Sequence, residues 1–424
     1  MPRLTRTLSV LITGLFWVAP VALAAAPLTL EAALHQAAAA HPDLTVQRRQ
    51  LAVAETERIR AGFWLPDNPT VQGFYGPGGD SDLGVSVSQQ FEIANQRGAR
   101  LQIAEAVIGQ AGADTAAFRQ NALADVKGAF FDVLYWQERQ SLAAASVTVT
   151  AELDRIARKR LAAQDIAAVD ATQATMALEG AKARQVDIAS QLQVSRVGLA
   201  RLLGMSDSPD LAVTGTLPPG IQPPAASDAV SQAMAHRADL RALEAQLVQM
   251  QGQQALSQRE IVPDPTLTLS YGRRATTKGN PGANVASDSG STVQIGVSLP
   301  IPVVNYRQAE LARNASERAV IEARQAALRT RIVQQVGEAL ASWQWRLPAA
   351  KTYAAMVPAL QRTLTLLRAA YREGQIELQR VLLAQDQLIQ NQTALLDVQR
   401  QLRQGDVSLD RALGRLDIDN KETP

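Results

Sequence analysis

The sequence predicts a mixed α and β chain, mainly α, built as a tandem structural repeat in which long helical hairpins follow short β-hairpins. Three observations carry this. Sliding the 424-residue chain by 210 positions puts Val87-Ser88 on Val297-Ser298, Asn95 on Asn305, Arg97 on Arg307, Ile166 on Ile376 and Arg201-Leu-Leu-Gly204 on Arg411-Ala-Leu-Gly414. A constant offset over so long a span means two copies of one structural unit. Each copy holds very long Ala-, Leu- and Gln-rich stretches that read as helix, and ahead of each lie segments alternating apolar with small polar residues, the period of a strand.

In chain order, residues 1–24 read as a signal peptide. Arg3 and Arg6 supply the positive region, Leu8 to Ala22 the apolar one, and Ala22-Leu23-Ala24 a small-x-small cleavage site. The first repeat spans residues 25–214, a Pro-rich linker 215–227, the second repeat 228–415 and a tail 416–424. From Leu28 to about Phe63 the chain reads as helix, with Thr29 as cap and a break at His41-Pro42-Asp43-Leu44, matched by Arg237-Ala238-Asp239-Leu240 in the second copy. Pro66, Asn68 and Pro69, and later Pro263-Asp264-Pro265, stop the helices before extended segments begin.

In those segments Leu83, Val85 and Val87 oppose Gly84, Ser86 and Ser88. Leu267, Leu269 and Tyr271 form another face, and Val293, Ile295, Val297 and Leu299 lie opposite Gln294, Gly296 and Ser298. Turn-rich linkers at Gly76 to Asp80 and Gly272 to Ser291 make two hairpins, four strands in all. The outgoing helix, roughly 65 residues from Arg97, would reach about 100 Å.

Composition narrows the function. A charge of +2 from 42 Lys+Arg and 40 Asp+Glu argues against nucleic acid as partner. The absence of Cys excludes disulfides, thiolate metal ligands and a cysteine nucleophile. His35 and His41 are six apart, off the i, i+4 spacing of a helical metal pair, so no metal site is expected. No catalytic elbow or phosphate loop stands out, and no cofactor is called for. Trp343 and Trp345 flank Gln344 and cannot share a helix face.

An exported chain with no apolar run of transmembrane length after Ala24 enters a membrane only as strands. Phe63-Trp64, Phe74-Tyr75 and Tyr306 lie near strand ends, where interfacial aromatics sit. Four strands cannot close a barrel, for which about eight is the practical minimum. The barrel must then be shared between chains, and all helices leave it on the same side. This describes an outer-membrane β-barrel carrying a helical tube into the periplasm.

With these features the sequence resembles the TolC-type outer-membrane efflux family over essentially the whole mature chain. The resemblance rests on the duplicated helix-strand-strand-helix-helix order, the Asp43-Leu44 and Asp239-Leu240 starts, and the Leu203-Gly204 and Leu413-Gly414 ends. It is most similar to the cobalt-zinc-cadmium branch. That branch has a glycine pair and Lys-Arg after the first strand pair and Leu-Pro-Leu-Pro with Arg-Asn after the second. Here the positions read Phe91-Glu-Ile-Ala-Asn95-Gln-Arg97 and Leu299-Pro-Ile-Pro302-Val-Val-Asn305-Tyr-Arg307, so the glycine pair is replaced.

The resemblance implies a homotrimer with twelve strands and twelve helices. It would be a passive duct docked onto a periplasmic adaptor (a membrane fusion protein) and an inner-membrane RND-type pump, with outer-membrane lipid around the barrel. Strand residues Leu83, Val85, Val87, Leu267, Leu269, Val293, Ile295 and Val297 would lie in the membrane. The hairpin turns, Gln164-Asp165-Ile166 and Glu373-Gly374-Gln375-Ile376, would dock the adaptor; Gly374 suits a tight turn, and Gln164 is expected to make the first turn different. Relatives place acidic residues inside the second turn, where this chain has Arg380 and Leu383, with Asp170 opposite Arg380. Asp170 and Arg380 are the candidate periplasmic gate, either pairing across helices or standing as solvated charges. Exposed pairs are worth about 0–1 kcal/mol, so only a ring of them could bias opening. Divalent heavy metals are the expected cargo. The alternatives are drugs or proteins through the same channel, or a soluble periplasmic helical scaffold.

Overall fold

A computed structural model describes residues 27–65, 67–76, 80–206, 211–217, 224–276 and 290–416. The segment read as a signal peptide and the last eight residues of the tail lie outside this set, as do residues 218–223 of the Pro-rich linker and the centres of both hairpin connections.

Each half has the same order. The first runs α1 (Leu30–Ala40), α2 (Pro42–Ala61), β1 (Thr70–Gly76), β2 (Asp80–Gln90), α3 (Gln96–Ala162) and α4 (Ala168–Leu202). The second runs α5 (Ala226–His236), α6 (Ala238–Arg259), β3 (Thr266–Thr276), β4 (Ser291–Ser298), α7 (Gln308–Arg372) and α8 (Leu378–Leu413). The Thr29 hydroxyl caps α1 by accepting from the Ala32 N–H at 3.3 Å. Pro42 occupies the first turn of α2, where its missing N–H costs nothing.

The strands form one antiparallel sheet in the order β1-β2-β3-β4, leaving β1 and β4 as edges. Val71 faces Val87, Val87 faces Leu269, and Leu269 faces Ile295. Residues directly opposite share a face. One face therefore carries Val71, Tyr75, Leu83, Val85, Val87, Leu267, Leu269, Tyr271, Val293, Ile295 and Val297. The other carries Gln72, Ser86, Ser88, Thr268, Ser270, Gln294 and Gly296. Two expectations change. β3 continues past Gly272 to Thr276, because β2 supplies partners as far as Asp80↔Thr276. Phe74 belongs to the polar face rather than with Tyr75: its ring lies over Gly84, where a Cβ would come within 2.1 Å of it.

The helices form four parallel rods, one continuing each strand. The 67 residues of α3 and 65 of α7 are single rods. The other two are each made of two helices placed end to end. The C-terminus of α4 meets the start of α2, where Gly204, at φ +69°, lies so close to Ala40 that a Cβ would be 2.4 Å from its carbonyl oxygen. The C-terminus of α8 meets the start of α6, where Gly414, at φ +66°, approaches the His236 oxygen. The Leu-Gly ends seen in the sequence are thus joints, which glycine permits by lacking a Cβ. Rod α3 packs between α2/α4 and α6/α8, and α7 packs on the far side of α6/α8. The edges of the helical wall are α2/α4 and α7, matching β1 and β4.

The 210-residue offset holds at the helix ends, Ala162 and Arg372, and slips at their starts. The left-handed residue before each long helix is Asn95 in the first copy (φ 58°) and Arg307 in the second (φ 59°). Asn95 therefore corresponds to Arg307 and not to Asn305, because the β4–α7 connection is longer.

The largest core lies midway along the rods. Leu123, Val126, Phe130 and Val133 of α3 pack with Leu192 and Leu199 of α4, Ala33 and Ala37 of α1, and Val213 and Leu217 of the inter-repeat segment. Full burial of each larger side chain stabilises by about 1.5–3 kcal/mol. The segment is strapped down by Leu28 pairing with Val213, by Gln137 accepting from the Val213 N–H at 3.2 Å, and by Arg403 donating to the Leu217 and Thr216 carbonyls at 2.9 and 3.0 Å.

Candidate functional site: the hairpin tips and the channel wall

At the far end of the rods the two turns share one backbone design. Gln164 N–H donates to Leu161 O at 2.9 Å and Asp165 N–H to Arg160 O at 2.8 Å; Gly374 N–H donates to Tyr371 O at 3.1 Å and Gln375 N–H to Ala370 O at 2.9 Å. Both are Schellman ends, with Gln164 (φ 63°) and Gly374 (φ 77°) left-handed. The expected difference between the turns does not lie in the backbone. It lies in the side chains, since Gln164 takes a conformation that costs a residue with a Cβ more than it costs glycine.

Gln164, Asp165, Glu373, Gly374 and Gln375 are exposed, whereas Ile166 and Ile376 are half-buried against the tip core. That core joins Leu153 and Ala157 of α3, Ala174 of α4, Leu364 and Tyr371 of α7, and Leu378, Val381 and Leu388 of α8. Arg160 bridges the hairpins, donating to Tyr371 O at 3.3 Å with its guanidinium 5.3 Å from the Tyr371 ring centre. Tyr371 is 1% exposed. Burial pushes its phenol up; Arg160 opposes this and Asp170 adds to it.

Asp170 is half-buried in the first turn of α4, where a carboxylate suits the helix dipole, and Arg380 is exposed in the first turn of α8. Among the described residues no side-chain hydrogen bond or ion pair joins these two within one chain. The charges that do bind the hairpins together went unseen in the sequence. Glu152 of α3 takes both Arg368 and Arg372 of α7, and its carboxyl is held below the ordinary range by the hydrogen bond from Arg372, with Arg368 assisting against burial. Burial alone would raise Asp154, yet the Thr175 hydroxyl at 2.7 Å and Arg158 at 2.8 Å hold it low, tying α3 to α4.

Higher on the wall, ion pairs stitch α3 to α8: Asp125 with Arg411 at 2.5 Å, Lys127 with Asp410, Asp132 with Arg400 at 2.7 Å, and Arg139 with Asp397 at 3.4 Å. Trp343 is buried and donates to Asp406 at 3.1 Å, while Trp345 is 83% exposed, as their spacing requires. His41 and His236 sit at the two rod joints, and His35 lies 3.9 Å from Glu31. Among the described residues no cluster of three or more His, Cys, Asp or Glu could hold a metal ion, and no helix is long and apolar enough to cross a membrane.

On the sheet, Leu83, Val85, Val87, Leu267, Leu269, Val293, Ile295 and Val297 share one face and are all exposed, Ile295 at 74%. Apart from Phe74, the opposite face is polar and small, with Ser88 and Thr268 hydroxyls hydrogen-bonded at 3.0 Å. Both edge strands are open, and so are both edges of the helical wall. One chain is thus an open set of four staves, a section of a β-barrel continued by a section of a helical tube, and the class it defines is the outer-membrane channel. The chain belongs to the Outer membrane efflux protein family, matched over residues 21–205 and 229–415. Its place in the outer membrane, with the helical part in the periplasm, follows from that membership.

Among similar proteins is the cobalt-zinc-cadmium resistance protein CzcC of Cupriavidus metallidurans, 28% identical over 398 residues, covering 92% of this chain and 91% of that protein. The solved structure of CusC superposes with a TM-score of 0.74 at 17% identity, covering 91% of this chain and 92% of that one. That of VceC from Vibrio cholerae does so with a TM-score of 0.71 at 18% identity, covering 91% and 96%. These structures share the fold.

Proposed function

We propose that three copies of this chain close a twelve-stranded barrel and a helical tube that serve as the passive exit duct of a tripartite efflux system for divalent heavy-metal cations. The observation that carries the metal reading is the end-to-end similarity to a cobalt-zinc-cadmium resistance protein. The one-to-one continuation of strands into rods, with complementary open edges, supports closure by copies of the same chain. In this reading the apolar sheet face meets lipid and the polar face lines water. The exposed turn residues Gln164, Asp165, Glu373, Gly374 and Gln375, backed by Ile166 and Ile376, receive a periplasmic adaptor, which couples the duct to an RND-type pump in the inner membrane. Asp170, on the edge stave α2/α4, and Arg380, on the interior stave α6/α8, act near the constriction as charges that line the tip of the ring. Residues 1–24 are the export signal.

The duct selects little by itself, because a wide aqueous lumen carries little chemical selectivity. The test is the growth of a strain lacking this protein on cobalt, zinc and cadmium salts and on a panel of organic drugs. Hypersensitivity to the metals alone, reversed by the gene in trans, is the expected result. Hypersensitivity to drugs alone would reassign the cargo.

A further inference from the structure

The two strand-to-helix junctions follow one local plan, but only one is completed inside the chain. Gln96 opens α3 and accepts the Ala94 N–H on Oε1 at 2.9 Å; Gln308 opens α7 and accepts the Tyr306 N–H on Oε1 at 2.7 Å. Each follows a left-handed residue, Asn95 or Arg307. The amide nitrogens then diverge. Gln96 Nε2 donates to Asp264 Oδ1 at 2.7 Å, an oxygen that also accepts the Ile93 N–H at 3.4 Å, and the Gln96 side chain is buried, 1% exposed. Among the described residues Gln308 Nε2 finds only a carbonyl of its own segment, Val304 O at 3.3 Å, and the side chain is exposed beside Val304, itself 82% exposed.

Asp264 stands between α6 and β3, on the stave next to α3. The residue at the same place between α2 and β1 is Asp67, in Pro66-Asp67-Asn68-Pro69 against Pro263-Asp264-Pro265, and Asp67 is exposed. Within the chain α3 neighbours α6, whereas α7 and α2 lie at opposite edges of the wall and β4 and β1 at opposite edges of the sheet. The relation of α3 to α6 can recur as α7 to α2 only between copies.

We propose that Gln308 of one copy donates to Asp67 of the next, so that the seam between chains repeats the contact joining the two halves of one chain. This rests on the shared-barrel reading above. Assembly would desolvate Gln308 as the fold desolvates Gln96, and a buried amide left without a partner is costly, so the carboxylate of Asp67 is the group that completes the junction. Each ring then holds six such junctions of one kind, three within chains and three between them.

The chain has no Cys, so Asp67→Cys/Gln308→Cys introduces only two thiols. Purified protein is treated with a short bis-methanethiosulfonate linker and run on non-reducing gels. Covalent dimers and trimers are expected from the double variant and from neither single variant. Protein that is trimeric by light scattering yet gives no covalent dimer overturns the proposal, whereas unmodified protein that is monomeric overturns the shared barrel itself. A second arm avoids thiols: Gln308→Glu, which sets two carboxylates together, should lower the melting temperature of the trimer, and adding Asp67→Asn, which restores a donor, should recover most of the loss. Absence of either effect also overturns the pairing.

Discussion

Gln164 and Gly374 hold the same left-handed backbone conformation at the two hairpin tips, with φ of 63° and 77°. Only one of them does so freely. Gly374→Ala should therefore cost about 1 kcal/mol, and Gln164→Gly should gain less than that, because glycine also loosens the unfolded chain. Thermal unfolding of detergent-purified protein checks both. A Gly374→Ala variant that melts like the parent would contradict the equivalence of the turns.

Gly204 and Gly414 form the rod joints with unequal clearance. A Cβ at Gly204 would lie 2.4 Å from the backbone oxygen of Ala40, and one at Gly414 3.1 Å from that of His236. Both also carry the left-handed φ. Gly204→Ala is expected to cost about 3 kcal/mol or more and Gly414→Ala about 1–2 kcal/mol. The yield of assembled channel in the outer-membrane fraction should fall in that order.

Glu152 makes the tip sensitive to acid. Its folded pKa lies below the ordinary 4.5, so its stabilising contribution is full above that value and is lost as pH falls through the folded pKa. Protonation releases Arg368 and Arg372 and loosens α3 from α7. Planar-bilayer recordings should show opening unchanged as pH falls from 7 to 4.5 and more frequent only at pH well below 4.5, where the folded carboxyl takes up its proton, and Glu152→Gln should show that opening at pH 7 with the acid response much reduced.

Asp170→Ala and Arg380→Ala should each raise open probability at neutral pH, by a few-fold at most, since single exposed pairs are worth about 0–1 kcal/mol and act here only as a ring. Unchanged opening in both would remove them from the gate.

The two sheet faces predict opposite tolerance. Ile295→Lys places a charge on the apolar face and should cost about 2–4 kcal/mol near the bilayer midplane, with loss of the outer-membrane trimer. Gln294→Lys, one residue away on the polar face, should assemble normally. Equal behaviour of the two variants would refute the assignment of lipid and water.

The duplication, the strands with their alternating faces, and the proline and Leu-Gly punctuation were legible because each is a local pattern. What escaped were relations between distant positions. The partners in Asp132–Arg400 and Glu152–Arg368 lie more than two hundred residues apart, and nothing around either end marks the other. Adjacency groups Phe74 with Tyr75, although neighbours along a strand point to opposite faces. The left-handed state of Gln164 is imposed by the helix end it closes, which a glutamine in sequence does not announce. Identity aligns Asn95 with Asn305, whereas the helix start aligns it with Arg307.

Because α4 meets α2, and α8 meets α6, without a peptide bond across the joint, the closed wall would alternate one-piece with two-piece staves. Torque applied at the tips would travel along α3 and α7 without interruption, while the jointed staves could slip at mid-height. The upper tube and barrel would then stay rigid as the lower tube untwists, which would confine the moving part of the conduit to the half that carries the hairpin tips.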